Sequence, residues 1–256
     1  MPTYQITNQS TLQSVVDRCC VALSLAKESS AVGASDPAKT LLVQMANLAS
    51  LELSTAYEWP DLIREGSITV QTASPPDPNL ATAVSFPLPL DFQRFVDQTQ
   101  WNEAMRFPAM GPLSPQGWMG YLVFPISANF TLTWQVREGK IWFLNPPAPP
   151  GQVFRFMYMS SAIVRDAADP NLYKNVADKD GDVFLLDSLL ITLLTRLKWL
   201  EAKGFDSSAA ARDFATAWDS RAGAVAAPIL NMAGGSGSVP LLGTRNFPDT
   251  NYAIPR

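Results

Sequence analysis

The chain has 256 residues, 47% of them hydrophobic and 16% charged, with a net charge of −4; this excludes intrinsic disorder and allows a buried core. The mild negative balance argues against a sequence-independent grip on DNA, which needs clustered Lys and Arg, and the low charge density suits surface destined for subunit contacts. Histidine is absent, which excludes Ser-His-Asp and Cys-His nucleophilic chemistry and imidazole metal sites together.

The first residues, MPTYQITNQS, lack the charged and apolar regions of a secretory signal, and no apolar run is long enough for a membrane span. Residues 11–28 place Leu12, Val15, Val16, Cys19, Leu23 and Ala26 on one helical face, with Ser10 or Thr11 as its cap. Cys19 and Cys20 point about 100° apart on that helix and are too few for a structural zinc. They read as small semi-buried side chains in a reducing cytoplasm. Asp36-Pro37 opens a second helix carrying Leu41, Leu42, Met45, Leu48 and Leu51 and ending before Trp59-Pro60. Two helices joined by a short loop are expected to pack antiparallel.

From about 66 to 160 proline becomes dense and the periodic segments shorten to strand length. GSITVQT reads as a strand from its β-branched residues. FTLTWQVREGKIWFL alternates around Glu138-Gly139 and predicts a hairpin, with Phe130, Leu132 and Trp134 on one arm and Ile141 and Phe143 on the other. GQVFRFMYMS adds a third strand whose packing residues are Val153, Phe154, Phe156 and Tyr158, and Ser114-Pro115 starts a short helix with Trp118 and Tyr121.

Residues 178–206, DKDGDVFLLDSLLITLLTRLKWLEAKGFD, raise the question of a calcium loop. Asp178, Asp180 and Asp182 occupy the first, third and fifth ligand positions of an EF-hand. The sixth position is Val183 instead of Gly, and the twelfth is Leu189 instead of Glu, so the pattern fails where the loop is shaped and closed. The economical alternative is a helix start: Asp182 or Asp187 caps a helix carrying Leu186, Leu189, Leu190, Leu193, Leu194, Leu197 and Leu200, and Gly204 stops it. Asp206 or Ser207 restarts a last helix with Phe214 and Trp218 on its inner side.

After Ala226 the GGSGS stretch has linker composition, and Val239, Leu241, Leu242, Phe247, Tyr252 and Ile254 follow without helical periodicity. That predicts an extended arm that docks onto another molecule. The expected fold class is α+β: an antiparallel helical bundle from both chain ends (1–65 and 162–225), an inserted β-rich module (66–161) and an extended C-terminal arm (226–256). GGSGS lacks the Lys-Ser/Thr of a phosphate loop, and nothing converges on Glu52, Glu58 and Asp61 as a carboxylate pair. No catalytic residue, metal or cofactor is expected. The aromatics of the β-rich region pack a core or, as the alternative, let Trp118, Trp134 or Trp142 stack on a host glycan in a receptor-binding module.

The order of these features carries a resemblance: Trp59-Pro60-Asp61-Leu62, LPLDFQRFVD at 88–97, NPPAPPGQVFRFMYMSS at 145–161, the acidic run into LLDSLLITLLTRLKWLEAKGFD, and NFPDTNY near the end. Together they resemble the head-to-tail adaptor (connector) proteins of tailed, especially short-tailed, bacteriophages. The resemblance implies a non-enzymatic homo-oligomeric ring, typically a dodecamer, at the head–tail junction of a virion assembled in the host cytoplasm. Its partners would be the portal protein above and a tail tube or nozzle protein below, with DNA passing through the channel without specific binding and no membrane contact. The portal-contacting arm would span 234–256, through Leu241, Leu242, Phe247, Asp249, Tyr252, Ile254 and Arg256. Where the family ends in Asp-Thr-Gly, this chain reads Asp249-Thr250-Asn251.

Overall fold

A computed structural model describes residues 9–71, 83–123, 132–144 and 151–225. The helices start and stop where local chemistry says they should. Thr11 caps α1 (Leu12–Ala22) by accepting from the Ser14 amide, and Asp36 caps α2 (Pro37–Ala56) by accepting from the Ala38 amide, with proline in the first turn. A single 3-10 turn, Pro60–Leu62, leads from α2 into the first long strand. Further along come α3 (Pro115–Val123), α4 (Ser188–Lys203) and α5 (Ser208–Val225). Asp187 caps α4 by accepting from the Leu189 and Leu190 amides, and Gly204 ends it in the left-handed conformation at φ 71°. Asp206 accepts from the Ser208 amide at the start of α5. No described helix is long and apolar enough to cross a membrane.

The described strands form three antiparallel sheets. The smallest strands, β1 (Ser10–Thr11), β10 (Val164–Arg165), β11 (Tyr173–Lys174) and β12 (Val183–Phe184), make a four-stranded sheet ordered β1-β12-β10-β11. It staples the residues just before α1 to those just before α4, pairing Ser10 with Phe184 and Thr11 with Val183. A second sheet centres on β9 (Gln152–Ser160). On one side β9 pairs with β2 (Ile63–Val70) along the whole of β2; on the other it pairs with β4 (Phe92–Phe95) and then β5 (Trp101–Asn102), which carries β6 (Phe107–Pro108). The third sheet is β3 (Ala83–Pro87), β8 (Lys140–Leu144) and β7 (Thr133–Arg137). The β7–β8 turn is Glu138-Gly139, with φ of 55° and 69°, the left-handed pair that a tight hairpin needs.

The architecture corrects the expected fold class. Among the described residues it is a mixed α/β fold of five helices and three antiparallel sheets, not a helical bundle carrying an inserted module. The helices α1, α2, α4 and α5 do pack on one another, but their core is shared with strands. Met159, Val164 and Phe184 belong to the same buried cluster as Leu12, Leu42 and Leu190. Each fully buried side chain of this size contributes about 2 kcal/mol of transfer free energy. The sequence reading missed this because two-residue strands have no alternation to detect, and their pairing is supplied by distant chain. Within the β-rich region β9 pairs with β2, β4 and β5 and meets the β7–β8 hairpin face to face. An aromatic core fills that space: Phe95–Trp134, Phe95–Phe156, Trp134–Phe154 and Phe154–Phe156 form tilted and edge-on pairs with centroids 4.8 to 5.9 Å apart. The predicted arm 226–256 and Phe130 lie outside the described residues.

Candidate functional site

The acidic run of residues 178–182 does not converge on one point. Asp180 reaches away to the loop between α1 and α2, where it accepts from the Ser30 hydroxyl and from the Ala31 and Val32 amides at 3.0 and 2.8 Å. Asp182 is fully buried and accepts from the amides of Ala167, Asp178 and Lys179 at 2.8 to 3.0 Å. Carboxylate oxygens of Asp166, Asp178 and Asp182 lie within 4.8 Å of one another, the spacing of a cation site. The position between them is taken by the ammonium of Lys174, 3.0 Å from Asp166, 2.7 Å from Asp182 and also paired with Asp178. Lys179 adds a second ammonium 2.8 Å from Asp166. The loop therefore carries its own counter-charges, and the calcium reading has no vacant position to fill.

The titration of these groups follows from the geometry. Hydrogen bonds from Lys179, the Ala168 amide and Lys174 hold the Asp166 carboxyl well below the usual carboxylate range. Burial pushes Asp182 upward, but the Lys174 ammonium and three amides outweigh it and leave its pKa lowered. For Asp180, burial is likewise outweighed by the Ser30 hydroxyl and the Val32 and Ala31 amides. Burial pulls Lys174 down, and its bonds to Asp178, Asp182 and Asp166 raise it above the ordinary lysine range. Sequence reasoning passed over Lys174; its one local signal was the four-residue spacing to Asp178. Of the two proposed caps for α4, Asp187 serves and Asp182 instead ties the loop together.

The other candidates separate. Glu52 pairs with Lys198 and Glu58 with Arg94, while Asp61 has no share in either pair. Trp118 and Trp134 are buried, and Trp142 is half-covered with the Arg137 guanidinium 4.5 Å above its ring. Neither buried ring offers a face to a sugar. Cys19 and Cys20 are buried free thiols, and burial, aided by Cys20, pushes Cys19 up to about 12. The portal-contacting set, Leu241, Leu242, Phe247, Asp249, Tyr252, Ile254 and Arg256, lies outside the described residues.

The described surface also carries exposed large apolar side chains. The buried face of α2 runs through Leu42, Val43, Ala46, Ala49 and Leu53. At about 100° per residue, Leu48 stands opposite the middle of that face and Leu51 beside it; both are exposed, at 48% and 47%. Two large apolar side chains thus stand exposed on the outer side of α2, beside the polar Gln44 and Thr55. A cleft of about 300 Å3 opens between α2, α4 and α5, walled by Leu53, Ala56, Leu194, Phe214, Ala215 and Trp218. Its rim carries Glu52 and Asp219. In comparisons with known proteins, no family model and no curated protein matches the chain.

Proposed function

We propose that the chain is a structural adaptor of a tailed bacteriophage, a ring-forming subunit between portal and tail that extends the DNA channel. The observation that carries this reading is the pair of exposed leucines, Leu48 and Leu51, on the outer face of α2, in a chain of which only 16% is charged. Such a face is stabilised by side-by-side association, and repetition around a ring multiplies modest contacts through avidity. The order of sequence features supports the same reading, and the net charge of −4 suits a channel through which DNA slides without adhering. The receptor-binding alternative has less behind it, since two of its three tryptophans are core residues.

Electron microscopy of the purified chain mixed with its cognate portal protein tests the proposal. Rings seated on the portal are expected, and their absence at every concentration counts against it. Deleting residues 234–256 should abolish portal binding while leaving the remaining chain folded, with a cooperative thermal unfolding transition.

A further inference from the structure

The cleft between α2, α4 and α5 is apolar at its base, and its rim charges are unequally matched. Glu52 is paired with Lys198, and the neighbouring Asp213 of α5 with Arg196. Among the described residues Asp219 has no ion-pair partner. The Trp218 ring is held edge-on to Trp59, 5.9 Å away, and its neighbour Phe214 is 6.1 Å from it. Both rings are half-buried, so the wall is incompletely covered.

We propose that this cleft is a binding site for residues 239–245 of the same chain, with Leu241 and Leu242 seated against Phe214, Ala215 and Trp218, and Arg245 paired with Asp219. Three observations select this occupant. The segment VPLLGTR combines two adjacent leucines with a basic residue three positions later, complementing an apolar base with an acidic rim. Pro240 restricts the backbone before Leu241, which lowers the ordering cost of an extended peptide. Chain reach agrees: Trp218 lies about 10 Å before the end of α5 along its axis, and 13 residues, 226–238, with GGSGS at their end, separate that end from Val239. By random-chain scaling, 13 residues span about 20 Å. Intramolecular docking of this kind has an effective concentration of order millimolar, so a weak contact suffices. The contact stands whether or not the ring reading holds. Where that reading does hold, the free subunit keeps the apolar start of its arm covered until a partner competes for it.

The test places cysteines at Ala215, an exposed wall position, and at Leu242 in the full-length chain, followed by mild oxidation and peptide mapping. An equal mixture of 14N and 15N chains tells a bridge within one chain from one between two. An intrachain 215–242 bridge at least tenfold above a Leu48→Cys/Leu242→Cys control is expected, falling several-fold when Arg245→Glu is added. Mixed-isotope bridges, which mean that a second copy fills the cleft, overturn the proposal. So does a yield equal to the control, or a faster bridge from Leu230→Cys than from Leu242→Cys. Hydrogen exchange on the unmodified chain gives an independent reading. Slowed exchange at the Leu241 and Leu242 amides, lost in an Ala215→Glu variant, supports the contact, whereas exchange at the unstructured rate overturns it.

Discussion

The Lys174 ammonium stands 2.7 Å from the fully buried carboxylate of Asp182, in the acidic run whose spacing matches an EF-hand only at its first, third and fifth positions. Replacing Lys174 with Met strips Asp182 and Asp178 of their ammonium partner and leaves Lys179 paired with Asp166 alone. The expected loss is about 3 kcal/mol, the scale of breaking a buried ion pair from one side, measured by urea denaturation. Calcium at millimolar concentration should leave the unfolding midpoint of the native protein unchanged; a calcium-dependent rise would show that the ion displaces the lysine.

The same loop contributes to the pH dependence of stability. Asp180 and Asp182 have lowered carboxyl pKa values in the folded chain, so below about pH 4 the unfolded chain binds more protons than the native one. Their contribution is present in full above the unfolded value and is lost as pH falls through the folded values. The urea midpoint should therefore drop between about pH 5 and pH 3, and Asp182→Asn should flatten that slope. An unchanged slope in the variant would remove Asp182 from the account.

Gly66 sits opposite Phe156 in the β2–β9 pairing, and a Cβ there would stand 2.5 Å from the ring. The ring is itself fixed by Phe95, Phe154 and Tyr158. Gly66→Ala must displace a packed aromatic, at a cost of about 1–3 kcal/mol. A midpoint in urea equal to that of the parent protein would mean the ring moves freely.

Leu48→Glu and Leu51→Glu act on a surface, not a core. Each should change stability by no more than about 0.5 kcal/mol while preventing ring formation in the presence of the portal protein. Sedimentation and thermal unfolding separate the two effects; rings that persist in the double variant would exclude this face from the subunit contact.

Burial raises the pKa of both thiols and takes Cys19 to about 12, leaving little thiolate at pH 8. A thiol-reactive disulfide reagent should modify neither cysteine in the native protein at that pH and both in urea. Rapid native-state reaction would show that the helical core opens readily.

The legible parts of this protein are those specified by neighbours in the chain. The Asp36-Pro37 helix start, the Gly204 stop and the Glu138-Gly139 hairpin each rest on local backbone and capping chemistry, and all were readable in the sequence. The arm residues proposed as the portal contact were legible only as an apolar, proline-spaced segment. Tertiary structure decided the rest, because those choices depend on groups far apart in the chain. It turned Leu48 and Leu51 outward while Leu42 and Leu53 went in, although all four are leucines on one helix. It joined the two-residue strands at Ser10 and Phe184, which are too short to carry a period. It also brought Lys174 between Asp166 and Asp182, where a carboxylate's partner is chosen by three-dimensional proximity, a quantity that the spacing of aspartates along a chain does not contain.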